Sequence, residues 1–291
     1  MIDDRRVTAE GQRALLRHAN LAQREKAENF PVVMGVLPRR HRRSLHAVYA
    51  FARTVDDVGD QAPGDRVAML QALDECVSRT WAGEAVDDPV FEELRRNVVD
   101  RVPERYFHAL VQANLQDQRL HRYPSFDALL DYCRLSADPV GRIVLAVFDQ
   151  HTEPLLGLSD RVCTALQLLE HWQDVGEDRR AGRVYVPTED LLGFGVPESD
   201  LDAPTASPAL ARLMRHEIER AAVILAEGTP LVRRLRGWAR CCVAGYVSGG
   251  HATVTALRRT EGDVLGRTAR PSRVRTAAGM LRLARPGIAA A

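Results

Sequence analysis

Two acidic clusters hold the residue types best suited to chemistry in this chain. They read Asp56-Asp57-Val58-Gly59-Asp60 and Asp174-Val175-Gly176-Glu177-Asp178. Each sets two aspartates four residues apart, Asp56 with Asp60 and Asp174 with Asp178, within sequence of helical character. That spacing puts both carboxylates on one helical face, one turn apart. Like charges so placed weaken an isolated helix by about 0.2–0.5 kcal/mol per pair. A bound cation removes that liability. Hard carboxylate oxygens around Mg²⁺, with a diphosphate completing the shell, fit the requirement. One such helix also suits a solvated charged face, but two copies beside apolar helical sequence and arginines favour the metal. An EF-hand fits poorly, because Val175 and Arg179 break its alternation of oxygen ligands.

The second cluster extends further. Glu170, Asp174 and Asp178 lie at i, i+4 and i+8, forming one acidic stripe, with Gln167 three residues ahead. Arg179-Arg180-Ala181-Gly182-Arg183-Val184-Tyr185-Val186-Pro187 follows. In the first cluster, Arg53 precedes Asp56 by three residues and shares its face. Carboxylates for a metal beside arginines for phosphate make a site that can ionise a diphosphate ester. The metal acts there as Lewis acid and template, and guanidinium groups neutralise the remaining charge. A local Arg–Asp surface pair is the alternative reading of Arg53, and it contributes little.

The elements that must position these groups are helices. Strand alternation is nearly absent, and apolar residues recur at helical spacing. The pattern predicts helices over 8–28, 41–60, about 66–81, 89–99, 104–118, 126–135, 139–150, 159–178, 208–227, 230–259 and 271–284. Ser125 and Ser159 suit N-caps, and Pro139 suits a first helical turn. The stretch 179–206 is the longest irregular segment and directly follows the second cluster, as a binding loop or lid would. No repeat or linker divides the chain. The expectation is a single all-α domain spanning 1–291.

With 291 residues the chain can bury a substantial core. Its 40 Lys+Arg against 39 Asp+Glu argue against nucleic acid as a partner. The charge is uneven, with twelve arginines from Leu231 onward against only Glu261 and Asp263. The basic segment 270–285, interleaved with Met280, Leu281 and Leu283, suits a membrane surface, as does the Arg39–Arg43 run. Both also suit a solvated helix face. Cys76, Cys133, Cys163, Cys241 and Cys242 form no CxxC and read as small packed residues in a reducing compartment. There is no secretory h-region and no run of roughly 20 apolar residues. The expected location is the cytoplasm, with peripheral contact at the inner face of the membrane.

The segments Tyr49–Asp60 and Gln167–Pro187 together resemble the two signature motifs of the squalene/phytoene synthase family. Asp131 to Gly141 resembles a third family segment between them. Glu28-Asn29-Phe30-Pro31-Val32-Val33 is similar to the hydroxysqualene synthase branch of hopanoid biosynthesis. The likeness runs over about residues 25–270.

The resemblance implies an all-α isoprenoid-synthase bundle around a central apolar cavity, with Mg²⁺ as cofactor and a prenyl diphosphate as substrate. By position, Asp56, Asp60, Asp174 and Asp178 become the metal carboxylates, with Glu170 beside them. Arg53 and Arg183 become diphosphate contacts, with Arg267 a further candidate. Tyr49, Phe30, Ala137, Gly141 and Gln167 become cavity residues, although Ala137 and Gly141 equally suit helix packing. The implied reaction is ionisation of presqualene diphosphate and water capture to hydroxysqualene. Enzymes upstream and downstream in squalene metabolism are the expected partners. Three departures from the family pattern stand out. Glu170 replaces an expected Asn, Asp138 replaces the branch's Asn, and Lys26, Glu28 and Asn29 stand where condensing members carry a His/Lys/Ser cluster. Head-to-head condensation of farnesyl or geranylgeranyl diphosphate is the nearest alternative. A non-catalytic scaffold role is a further one.

Overall fold

Leu45, Val48, Phe51, Val55 and Val58 recur every three or four residues and are all buried. They define the inner face of α1 (Arg39–Gln61). The computed structural model describes residues 37–284, so the expected 8–28 helix and Phe30 lie outside the described residues. Contacts group the chain into two compact units, 1–119 and 120–291.

In the first unit, α1 is followed by α2 (Arg66–Trp81), α3 (Pro89–Asn97) and α4 (Arg105–Asp117). The helix starts are chemically set. Asp65 accepts from Ala68 N, and Asp88 accepts from Val90 N ahead of Pro89 in the first turn. Phe51 anchors the core, edge-on to Phe91 at 5.9 Å and to Phe107 at 5.1 Å between ring centroids. Full burial of each such side chain contributes about 1.5–3 kcal/mol. Ser44 Oγ donates to Asn97 O at 2.8 Å, tying α1 to the end of α3.

The second unit contains α5 (Phe126–Ser136), α6 (Asp138–Val147), α7 (Glu153–Arg180), α8 (Thr188–Gly193) and a 3₁₀ turn (Glu198–Asp202). It continues with α9 (Pro208–Gly228), α10 (Leu231–Arg234), α11 (Gly237–Arg258) and α12 (Arg273–Ala284). The long α7 is its axis and packs against α5, α6, α9 and α11. Trp172, Leu168 and Leu169 on α7 are almost wholly buried. Arg142 of α6 makes a bidentate pair with Asp160 of α7 at 2.6 and 2.8 Å. The helical expectation holds in both units. Among the described residues the β-pairing is one isolated bridge, Arg122 with Val184.

Three local expectations change. Ser125 caps α5 as expected, accepting from Ala128 N, but Ser159 lies buried inside α7, which begins six residues earlier behind Thr152. Pro154 in the first turn sets that start. The expected 230–259 helix is broken, because Leu235 leaves helical geometry to bury its side chain and Gly237 takes φ +54°. The irregular 179–206 segment carries α8 and the 3₁₀ turn and is firmly tied. Val184 N donates to His121 O, Thr188 N to Tyr123 O and Glu189 N to Pro124 O, at 2.9–3.1 Å. Arg122 grips Glu198 and donates to Gly182 O at 2.8 Å.

Candidate functional site

In the first unit, the acidic motif occupies the last turns of α1. Asp56 is half-buried and Asp60 is exposed. Burial pushes the Asp56 carboxyl up to about 6, opposed by Asn114 and Arg53 and reinforced by Asp60 and Asp57. Asn114 Nδ2 donates to Asp56 Oδ1 at 3.2 Å. One turn on, Gln118 Nε2 donates to Gly59 O at 3.0 Å. A Cβ at Gly59 would collide with the Asn114 amide, so this glycine lets α4 close on the motif. Asn114 and Gln118 were not legible in sequence. Their only signal is a pair of amides at i, i+4, which gains meaning once α4 is known to lie against α1.

Arg53 does not pair with Asp56. Its Nη2 holds Asp57 Oδ1 at 2.6 Å, one turn along α1. Asp57 thereby presents the guanidinium beside Asp56, whose carboxyl Arg53 still stabilises. Tyr49 is half-buried on the same helix, two turns before Asp56.

In the second unit, Asp174 and Asp178 stand on the last turns of α7, with Glu170 exposed one turn earlier. Burial raises the Asp178 carboxyl to about 7; Arg183 opposes this, and the charges of Asp174, Glu170 and Glu177 add to it. Asp174 is raised by burial and by Glu177. Arg183 is placed by its backbone, its N–H donating to Asp178 O at 2.8 Å. The stripe thus concentrates carboxylate oxygens, and Arg183 opposes their charge at Asp178. That donor set suits a hard divalent cation such as Mg²⁺.

His171 also belongs here. It lies about 100° round the helix from Glu170 but two turns before Asp178, on nearly the same face as that aspartate. Its Nδ1 lies 3.9 Å from Asp178 Oδ2. The imidazole stacks on Tyr185 at 3.7 Å and 14°, and its Nε2 is 3.3 Å from Gln167 Nε2. Burial, helped by Arg183, pushes it down to about 3, so it is neutral at physiological pH. Tyr123 and Tyr132 complete an aromatic group around Tyr185. His171, Tyr185, Asp178 and Val175 line a small cavity with Val184, Val186 and Leu201.

The remaining expected residues sit as follows. Ala137 is buried at the α5–α6 junction. Gly141 faces α7, where an added Cβ would lie 2.5 Å from Cys163 Sγ and closer still to Ser159 Oγ. It serves a close helix crossing. Arg179 is engaged away from the stripe, bidentate to Asp202 at 2.7 and 2.8 Å. Arg267 is half-exposed, 3.8 Å from Glu261. Asp138 is buried, accepts from Thr164 Oγ1 at 2.8 Å and is raised to about 7, chiefly by burial.

Asp190, His216 and Glu217 bring possible ligand atoms within 4.8 Å of one another. Arg220 already supplies their cation. Its Nη1 lies 3.0 Å from Asp190 and 3.5 Å from Glu217, and its Nη2 lies 2.8 Å from His216 Nε2.

Two Asp-rich helix ends in an all-helical chain, each with an arginine beside it, describe a prenyl-diphosphate-processing protein of the isoprenoid-synthase fold. The match to the squalene/phytoene synthase family model over residues 23–276 bears this out, and the chain belongs to that family. It is 35% identical over 213 residues to a hydroxysqualene synthase of Rhodopseudomonas palustris, covering 72% of each chain. It is 31% identical over 252 residues to a phytoene synthase of Mycobacterium tuberculosis, covering 83% of this chain and 81% of that one. Among solved structures it resembles the squalene synthase HpnC of Alicyclobacillus acidocaldarius. That match has a TM-score of 0.77 at 40% identity and covers 86% of this chain and 92% of the other.

Proposed function

We propose that this protein converts presqualene diphosphate and water to hydroxysqualene and diphosphate, with Mg²⁺ as cofactor. The observation that carries the reading is the retained, partly desolvated Asp174/Asp178 stripe with Arg183 set against it, in a chain so similar to a hydroxysqualene synthase. Asp56, Asp60, Asp174 and Asp178 would hold the metal, with Glu170 at the edge of the set. When bound, Mg²⁺ supplies Lewis-acid stabilisation of the diphosphate.

The chain's own groups do the rest. Arg53 and Arg183 bind the diphosphate oxygens as the cyclopropylcarbinyl C–O bond breaks and the electron pair leaves with the diphosphate. Asp57 orients Arg53, and the Asp178 carbonyl orients the backbone that carries Arg183. Aromatic faces such as Tyr49 would stabilise the cyclopropylcarbinyl cation as it rearranges, and Phe30 takes the same role in this reading. Water then adds to the rearranged cation and loses a proton, giving the secondary allylic alcohol hydroxysqualene. Gln167, Ala137, Gly141 and Arg267 remain proposed substrate contacts, and Gly141 reaches the substrate only through the α6–α7 packing it permits.

A second reading is head-to-head prenyl transfer, favoured by the phytoene synthase likeness. A product assay separates the two. Purified protein with Mg²⁺ is given presqualene, farnesyl or geranylgeranyl diphosphate, and the extract is analysed by mass spectrometry. Hydroxysqualene from presqualene diphosphate alone is expected. A condensed C30 or C40 product moves the enzyme to the transferases, and no product from folded protein favours the scaffold role. Asp56→Ala and Asp174→Ala are each expected to lose turnover by at least about a hundredfold while circular dichroism stays helical. Wild-type rates in either would sink the metal assignment.

A further inference from the structure

We propose that α12 docks this protein on an anionic lipid surface. The helix lies on α11, where Ser248 Oγ donates to Thr276 O at 2.8 Å, and none of its residues is buried. Its outward side is apolar. Val274, Ala277, Ala278 and Leu281 fall at i, i+3, i+4 and i+7, and all four are exposed. Val274 keeps 79% of its surface and Leu281 68%. A surface helix ordinarily turns such a stripe toward the core. Here the half-buried Thr276, Met280 and Leu283 face inward instead, and the apolar stripe is left to solvent.

Charge identifies the occupant. Arg273 lies about 100° to one side of the stripe, and Arg275 and Arg282 lie about 80–100° to the other, by helical geometry. All three are exposed. No acidic residue occurs from Val264 to Ala291. The neighbouring α10 adds the exposed Arg233 and Arg234. An apolar stripe flanked on both sides by arginines is the arrangement of a helix lying in the headgroup layer. The stripe enters the acyl boundary while the guanidinium groups reach lipid phosphates. A second copy is a poor occupant, since a two-fold contact through this face would oppose arginine to arginine without a carboxylate. The proposal stands apart from the reaction assigned above.

The test is co-flotation of the full chain with phosphatidylcholine vesicles, with and without phosphatidylglycerol, at low and high salt. Binding to the anionic vesicles, weakened by salt, is expected. Each arginine near a charged bilayer contributes roughly fivefold in affinity. Arg273→Gln/Arg275→Gln/Arg282→Gln is therefore expected to lose binding by about a hundredfold. Val274→Glu/Leu281→Glu is expected to lose it with every arginine in place. Both variants are expected to keep their circular dichroism spectrum and wild-type turnover of detergent-dispersed substrate. Equal binding to neutral and anionic vesicles overturns the proposal. So does unchanged binding by both variants, or concentration-dependent self-association without vesicle binding.

Discussion

Gly141→Ala tests whether the α6–α7 crossing needs a residue without a side chain. The new Cβ would stand 2.5 Å from Cys163 Sγ and still closer to Ser159 Oγ, inside the 3.0 Å that real Cβ atoms almost never breach. Ser159 is buried, and the Arg142–Asp160 pair clamps the two helices beside it, so neither helix yields easily. Two such clashes between clamped helices cost about 2–3 kcal/mol, the upper part of the range for overpacking. Replacing glycine by alanine inside a helix returns about 1 kcal/mol. The net loss is about 1–2 kcal/mol, or a fall of roughly 2–8 °C in melting temperature for a unit of this size. Differential scanning calorimetry reads it. Adding Ser159→Ala and Cys163→Ala removes both clashing atoms and should recover most of the loss, a coupling expected only of residues in contact. A Gly141→Ala protein as stable as the wild type would refute the packing argument. An unchanged melting temperature with a raised KM would assign the glycine to the substrate instead.

Glu170→Asn removes one charge from the stripe that already raises Asp178. It should lower KM for the prenyl diphosphate, with stability within about 0.5 kcal/mol because the site is exposed. A collapse of Mg²⁺-dependent turnover would instead make Glu170 an indispensable ligand. Glu217 is fully buried, and burial raises its carboxyl to about 8 from an ordinary 4.5, with Arg220 opposing. The folded state therefore holds a proton that the unfolded chain releases between those values. Stability from this group is complete below about pH 4.5 and is lost as pH rises toward 8. Glu217→Gln should flatten that slope and gain most over wild type near pH 8 in urea unfolding. An identical pH slope in both proteins would contradict it.

Most helices were legible because burial writes itself into sequence at intervals of three and four residues, as Leu45, Val48, Phe51 and Val55 show. Caps followed where one side chain decides, as at Ser125. They failed at Ser159, whose small polar side chain suits a tight crossing as well as a helix start. The acidic motifs were legible because charge spacing is local. His171 stands about 100° from Glu170 in sequence angle, and only its seven-residue spacing from Asp178 brings it to nearly one face with the stripe. Asn114, Gln118 and the Arg53–Asp57 preference depend on rotamers and on a neighbouring helix, which no single segment encodes.

The stitching of 182–189 to 121–124 has a kinetic and an entropic consequence. Amide protons of Val184, Thr188 and Glu189, though outside long helices, donate to backbone carbonyls of a distant segment. They should exchange with deuterium slowly and together, since releasing one strains the rest. Arg183 sits at the head of this stitched run. Its backbone is ordered when the chain folds, so a diphosphate arriving later need immobilise only the end of one side chain.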